Sequence, residues 1–240
     1  MKTPGLNRYI RFVVNAALLT TMGSQIALCQ KNYVGIDPFS PFFGTVQPQY
    51  ERALSRHFSA VIGIGYKSSS GVFEIDGIQT ESISLNDFDF KGFKILPELR
   101  WYPGQSELLG FYTGIYYKYQ SNNSNLAGMY TNDNGSSISV DLDLELSSNT
   151  AGLEIGYKLK AWKGLFLDFI FAGVGFTAHR ASITENTELP EEFYRRFSAA
   201  SERYIVLKHL KPNLNLSPQD LETRFVLPNL RYGVKIGWAF

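Results

Sequence analysis

The sequence predicts an all-β protein: an eight-stranded antiparallel up-and-down transmembrane β-barrel with long outer loops, the last of which contains a short helix. Three observations favour this fold. Apolar and polar residues alternate with a period of two in eight stretches, which indicates strands with one apolar face. Aromatic residues make up 15% of the chain and 21 residues are glycine, a mixture typical of strands that face lipid. Short and long connections alternate along the chain, as they do in outer-membrane barrels.

Composition argues against two other classes of protein. Mean hydropathy is −0.12, and beyond residue 30 the chain has no run of about 18 apolar residues that would form a membrane helix. The formal net charge is +1 and no basic block stands out, so no nucleic acid is expected as a partner.

Residues 1–29 are predicted to be a cleaved signal peptide, which leaves residues 30–240 as the barrel domain. Lys2, Arg8 and Arg11 precede a mostly apolar stretch, and Ala27 and Cys29 are the small residues that a signal peptidase reads. Cleavage after Cys29 removes the only cysteine, which suits an oxidising compartment. In a second interpretation Cys29 is a lipidated N-terminal residue, although Leu28 is bulkier than that processing usually accepts.

The eight strands are bounded by turn residues. Pro38 and Pro41 separate the first two strands because proline cannot continue a ladder, and Pro48 predicts an irregularity in the second. Asp76-Gly77 is a two-residue hairpin signal. The predicted strands are 32–37, 44–54, 58–67, 88–101, 111–120, 138–160, 165–181 and 223–240. The predicted tight turns are 55–57, 103–110 and 162–164, and the predicted long polar excursions include 122–135 and 182–222.

The sixth strand is predicted to change face. Its first half places apolar residues such as Val140 and Leu142 on the even positions, whereas its second half places Leu153 and Ile155 on the odd positions. We therefore expect a shift of parity near Thr150–Gly152 and a strand that begins well outside the membrane.

The last strand has one apolar face and one small or charged face. Its outward residues alternate up to the final position: Tyr232, Val234, Ile236, Trp238 and Phe240. Eight strands with short turns at one end place both termini in the periplasm of a bacterial outer membrane.

These features resemble the small eight-stranded outer-membrane barrels of Gram-negative bacteria, the class of OmpX and the OmpA transmembrane domain. The alternating terminal residues carry the resemblance, together with the repeats Gly65-Tyr66-Lys67 and Gly156-Tyr157-Lys158. The resemblance implies that Tyr232, Val234, Ile236, Trp238 and Phe240 form the assembly signal read by the barrel insertion machinery. It stops at the barrel, since the sequence shows no carboxy-terminal peptidoglycan-binding domain.

The inward positions of the predicted strands carry many charges. Because an unpaired buried charge is costly, we expect these residues to pair in a salt-bridge network inside a barrel that is too narrow for an open pore, a porin-like fold without one. A narrow path for ions or protons is the alternative. The predicted lumen residues are Asp37, Glu51, Lys94, Glu98, Arg100, Lys118, Glu154, Lys158, Lys160, Asp168, Arg231 and Lys235.

The sequence gives little support for catalysis. Some small barrels that resemble this chain modify lipid A or phospholipid with a His and a Ser at the outer rim, and His179 with Ser182 is the candidate pair here. His179 shares the parity of Phe169 and Phe171 and is therefore expected to face lipid, whereas Val174 has the opposite, inward parity. No third member, metal-ligand spacing or cofactor motif is evident. We therefore predict a non-enzymatic protein without metal or cofactor, with a lipid-modifying enzyme as the alternative. A soluble exported ligand-binding barrel is the second alternative, and it requires an apolar lumen and a polar outside.

A helix is predicted in the longest excursion, starting at Pro190-Glu191-Glu192. It presents an apolar stripe that either packs on the mouth of its own barrel or docks another outer-membrane protein. The possible partner surface is Phe193, Phe197, Tyr204 and Leu207. The predicted function is that of an integral outer-membrane barrel, surrounded by outer-membrane lipid, with a structural or partner-binding role through its extramembrane hairpins and loop helix.

Overall fold

The computed structural model describes residues 32–68, 71, 76–87, 89–104, 108–201 and 222–240. The predicted signal peptide with Cys29 lies outside the described residues. Tyr204 and Leu207 of the predicted partner surface also lie outside them.

The described chain contains ten strands and one α-helix. The strands are β1 Asn32–Ile36, β2 Thr45–Val46, β3 Pro48–Ala53, β4 Phe58–Lys67, β5 Ile83–Leu85, β6 Lys91–Trp101, β7 Gly110–Thr131, β8 Ser137–Trp162, β9 Leu165–Glu185 and β10 Glu222–Ala239. A 3-10 turn, Ser40–Phe43, joins β1 to β2, and helix α1 is Glu191–Ser201. Within this described part, no helix has the length and apolar character needed to cross a membrane.

Antiparallel pairing closes the sheet into a ring that is barrel-like. Neighbouring strands pair in the order β1, β3, β4, β6, β7, β8, β9, β10, and β10 returns to β1 through pairs such as Val34 with Trp238. The ten strands exceed the predicted eight for two reasons. Gln47, next to Pro48, interrupts the predicted second strand and separates β2 from β3. The short strand β5 pairs with the far end of β7, outside the ring.

Strands β7, β8 and β9 are the longest strands of the described residues and project beyond the ring. Pairing of β7 with β8 continues from Gly110 opposite Lys158 to Thr131 opposite Ser137. Most of the predicted excursion 122–135 is therefore strand, and the connecting turn is residues 132–136, with Gly135 at a φ of 77°. This stretch has polar residues on both faces, so its hydropathy pattern does not indicate a strand. We call residues 121–131 of β7, 137–148 of β8, 180–185 of β9 and strand β5 the projecting sheet.

The hairpin that carries β5 turns at a different place from the prediction. The backbone N–H of Thr80 donates to the carbonyl of Ile83, and that of Leu85 donates to the carbonyl of Ile78. The turn therefore lies at residues 81–82, and not at Asp76-Gly77. Gly77 does not form a turn, and its backbone N–H donates a hydrogen bond to the carboxylate of Asp87.

The predicted change of parity in β8 is wrong. Residues at even positions face inward along the whole strand, with Val140 and Leu142 buried in the projecting sheet and Thr150 and Glu154 buried in the ring. The pairing with β7 is continuous through Thr150–Gly152. The same inner face changes from apolar to polar because a helix covers it above the ring, whereas charged side chains fill the space within the ring.

Helix α1 packs its apolar side onto the inner face of the projecting sheet. Phe193 is 0% exposed and Phe197 is 5% exposed, in a cluster that also contains Leu126, Tyr130 and Leu142. Phe193 and Phe197 are therefore not available as a partner surface, since burial of this side is what holds the helix in place. We call the projecting sheet together with α1 the head.

Candidate functional site

The outer surface of the ring is apolar. Outward side chains on every ring strand are large and exposed, and Leu153, for example, is 59% exposed. We call this surface the apolar belt; it includes Val34, Tyr50, Ile62, Ile64, Ile95, Leu99, Ile115, Leu153, Ile155, Phe171, Val174, Phe176, Val226, Leu230, Tyr232 and Ile236. A soluble barrel requires the reverse arrangement, with the apolar face inside.

Aromatic residues form a row at the end of the ring that carries the tight turns. Phe58 pairs with Trp101, and Phe111 pairs with Tyr157, so neighbouring strands contribute to the same level. Trp162, Trp238 and Phe240 continue this row on β8 and β10. Four residues of the predicted assembly signal lie on the outward side of β10 and Phe240 directly follows the strand; their role in assembly stays a prediction.

The polarity of both sheet faces reverses at one level of β8. Above Asn149 the outward residues are polar, as at Ser139, Asp141 and Glu145, and below it they are apolar, as at Leu153. The inward face changes in the opposite sense, from the apolar head core to the charged ring interior. The hydroxyl of Tyr117 donates to Asn149 at this level.

Arg100 lies at the centre of the ring interior and contacts four carboxylates. Its guanidinium lies 2.6 Å from Glu98, 2.8 Å from Asp168, 3.3 Å from Glu51 and 3.4 Å from Glu154, and all five side chains are fully buried. These residues come from β3, β6, β8 and β9. One planar cation therefore links β3 and β6 to β8 and β9, with which neither β3 nor β6 pairs.

Three more cations complete this network, which we call the salt-bridge core. Arg231 contacts Glu154 at 2.5 Å and also contacts Glu98. Lys158 pairs with Glu51, and Lys235 lies 3.7 Å from Glu98 and donates to Gln49. Four buried acids thus face three buried bases and the partly buried Arg231, a balance that limits the cost of burying these charges.

Tyrosine side chains line the salt-bridge core. The hydroxyl of Tyr112 donates to Asp168 at 2.7 Å, and that of Tyr102 donates to Glu51 at 2.8 Å. Arg100 lies over the ring of Tyr112, and Lys158 lies over the ring of Tyr33. These tyrosines are not among the predicted lumen residues, although Tyr112 has the inward parity of Gly114 on the same strand.

Below the salt-bridge core, an apolar cluster fills the end of the ring that carries the tight turns. Its buried members are Tyr33, Ala53, Leu108, Phe166 and Ala239. The ring interior at these two levels is therefore occupied by the protein's own side chains.

Four of the predicted lumen residues do not join the salt-bridge core. The Asp37 carboxylate accepts backbone hydrogen bonds from Phe39 and Ser40 in the turn after β1. Lys94 and Lys118 point into the ring above the core, and no carboxylate of the described residues lies within 4.0 Å of either. Lys160 is exposed, because β8 leaves the regular register between Lys160 and Trp162 at the end of the ring.

His179 and Ser182 do not form a catalytic pair. The register of β8 with β9 skips Phe171, since Ile155 pairs with Ala172 and Gly156 pairs with Ile170. This bulge reverses the faces of β9 above it, so that Val174 points outward, against the prediction, and His179 points inward.

The His179 ring instead stacks on Phe225 at a centroid distance of 4.9 Å. Ser182 lies three residues further along a strand and therefore on the opposite face. Among the described residues, no group of three or more His, Cys, Asp or Glu side chains has the geometry to hold a metal ion.

The outward face of the projecting sheet carries a hydrogen-bonded acidic cluster. Asn186 donates to Asp143 at 3.0 Å, and Asn125 donates to both Asp143 and Asp141. These hydrogen bonds, with that of Asn186 the stronger, lower the pKa of Asp143. This polar face, and not the buried face of α1, is what the head presents to its surroundings.

The structure therefore defines a closed, mostly antiparallel ring with an apolar outside and a charged inside. No protein-family model and no curated protein match the chain. Among solved structures, it is similar to the crystal structure of Acinetobacter baumannii CarO, with 10% sequence identity and a TM-score of 0.37. That alignment covers 89% of this chain and 98% of that chain. The likeness to OmpX and to the OmpA transmembrane domain stays a prediction.

Proposed function

We propose that this protein is an integral outer-membrane barrel of a Gram-negative bacterium, with a ring that anchors a folded head outside the cell. The proposal rests on the reversal of polarity on both faces of β8 at Asn149. A strand in one continuous solvent has no reason to exchange its faces, whereas a strand that leaves lipid for water does. Both termini are then periplasmic, and the long connections lie on the outer side.

The height of the apolar belt supports this assignment. At about 3.4 Å per residue and a tilt of about 40°, the segment from Ala151 to Lys160 rises about 23 Å, close to the apolar band of about 25 Å in outer-membrane barrels. The aromatic row then lies at the periplasmic interface, where such residues concentrate.

Membrane insertion is tested with two arginine substitutions on the outward face of β8. Leu153→Arg places a charge in the apolar belt and should cost about 2–4 kcal/mol, whereas Ser139→Arg lies on the polar face of the head. We expect the wild-type protein and Ser139→Arg in the outer-membrane fraction, with unboiled samples that migrate faster in a gel than boiled ones. Leu153→Arg should reduce that species. Recovery of wild-type protein in the soluble periplasmic fraction contradicts the proposal.

The head is proposed to be non-enzymatic and to bind a partner, such as another outer-membrane protein, through its polar outward face. A photo-crosslinking amino acid at Ser139 should yield one discrete protein adduct in intact cells, and the same group at Leu153 should yield lipid adducts. Absence of a discrete adduct at Ser139 and at Met129, which is also outward on the head, contradicts partner binding and leaves the membrane assignment unaffected.

A further inference from the structure

In the described part of the chain, the ring closes through only a short stretch of β10, which leaves an opening in the wall beside the rest of that strand. Strand β9 pairs with β10 from Glu222 to Trp238, but β1 pairs only with Ile236–Ala239. Within the described residues, no strand pairs with the edge of β10 that faces β1 in the part of β10 from Glu222 to Lys235. Pro228 lies in this part of β10, and proline within a sheet is found mainly on edge strands. The opening is at the height of the apolar belt.

A cavity of about 530 Å³ reaches this opening from inside the ring. It is lined by Lys94 and Lys118 on the inner face of β6 and β7, and by Gln47 before β3. It is also lined by Leu230 and Tyr232, which point outward from β10. These lining residues place the cavity at the edge of β10, next to the opening.

An apolar groove of about 580 Å³ continues from the cavity on the outside of the ring. Phe39 and Phe43 of the turn after β1 form one side, and Phe169, Phe171 and Val234 form the other. The two spaces share Gly233, where the register of β10 with β9 shifts. Each volume is within the range of about 300–1,000 Å³ that small-molecule sites occupy.

The inner end of this path is cationic. Lys94 lies opposite Gln120 and therefore diagonal to Lys118 on the neighbouring strand, so two like charges face the same space. Arg231 and Lys235 also line the cavity but pair with acids of the salt-bridge core. Asp37 is the one carboxylate among the described lining residues, and it accepts hydrogen bonds from its own turn. Lys94 and Lys118 are partly buried cations for which the described residues supply no carboxylate within 4.0 Å, and this arrangement favours an anionic ligand.

We propose that this side opening binds one long-chain fatty acid, with its carboxylate at Lys94 and Lys118 and its acyl chain in the apolar groove. The inference rests on the proposed function, because the groove faces lipid only if the ring is inserted in the membrane. The groove has a volume of about 580 Å³ at one strand edge, which favours a single acyl chain over the several chains of a glycolipid.

The test uses the full protein in a non-ionic detergent, after the faster migration of unboiled samples has shown that the barrel is folded. Radiolabelled palmitate is the probe. Lys94→Gln with Lys118→Gln removes the two charges, and Lys160→Gln with Lys163→Gln removes two exposed lysines as the matched control. Gly233→Phe fills the neck between cavity and groove, since a Cβ there meets no atom within 4 Å. Gly104→Phe, which also meets none, is its control.

We expect saturable binding of about one palmitate per protein. Lys94→Gln with Lys118→Gln should weaken binding at least about tenfold because it removes the charged contacts to the carboxylate, and Gly233→Phe should do so because it blocks the neck. Both controls should bind as the wild type does. Hexadecanol, which lacks the charge, should compete poorly.

Three results overturn the inference: no saturable binding to folded protein, equal affinity of the Lys94/Lys118 pair and its control, or equal competition by a two-chain phosphatidylglycerol. Each of these leaves the membrane assignment intact. A purified protein that lacks the faster-migrating species instead contradicts the proposed function.

Discussion

Arg100 on β6 and Asp168 on β9 meet at 2.8 Å in the centre of the ring, although their strands do not pair with each other. Backbone hydrogen bonds join only neighbouring strands, so contacts of this kind are the ones that hold opposite parts of the wall together. Such an interior tolerates loss of a cation poorly, because the acids around it are fully buried.

Replacing Arg100 by methionine should strongly destabilise the barrel. The change keeps the apolar volume but leaves four buried carboxylates with one cation fewer, at a cost of about 3–5 kcal/mol. Arg100→Lys should be intermediate, since lysine keeps the charge and loses the planar fork of donors. The measurement is the urea concentration at which half of the faster-migrating folded species disappears. Arg56→Met, in an exposed turn, is the control. An unchanged midpoint for Arg100→Met contradicts a structural role for the network.

Phe193→Ala should loosen the head and leave the ring intact. Removal of a fully buried phenyl group costs about 3–5 kcal/mol, and this group packs only within the core of the head. We expect trypsin to cleave faster at Arg195 and Arg196, while the unboiled protein still migrates as a folded barrel. Met129→Ala, on the outward face of the projecting sheet, should cleave as the wild type does. If Phe193→Ala also unfolds the ring, the head and the ring are one cooperative unit.

The outward faces of the strands and the acid–base pairing inside could be predicted from the sequence, because both follow from a period of two. The continuous inner face of β8 could not be predicted from the sequence. Val140 and Glu154 share that face, and only a helix supplied by a distant segment makes an apolar residue suitable there. The bulge at Phe171 also left no sequence signal, so the orientation of His179 was assigned by a parity that the bulge reverses.

Gly152→Ala should destabilise the ring, because the ring of Tyr116 lies against this inward glycine. A Cβ at Gly152 would lie 2.5 Å from the carbonyl oxygen of Val174 and 2.6 Å from the Tyr116 hydroxyl. Overpacking of this kind costs about 1–3 kcal/mol. The urea midpoint of the folded species should fall, whereas Gly233→Ala, which meets open space, should leave it nearly unchanged. Equal midpoints for the two variants contradict the close packing of Tyr116 on β8.

Phe240→Ala distinguishes the role of the Phe240 side chain in the predicted assembly signal from the role of its backbone in closing the ring. The backbone N–H of Phe240 donates to Asn32 at 2.9 Å, and its carbonyl accepts from Asn32 at 3.1 Å, so deleting the residue also removes a pair that closes the sheet. The alanine variant keeps that pair and loses only an outward phenyl group. The predicted assembly signal implies that the insertion machinery reads this side chain, so we expect less folded protein in the outer membrane of cells. We expect normal refolding into detergent, where no machinery acts. Trp162→Ala, an outward aromatic at the same end of the ring, is the control and should behave as the wild type does in both assays. Equal loss in cells for both variants would show that Phe240 acts as one more interfacial aromatic residue and carries no separate signal.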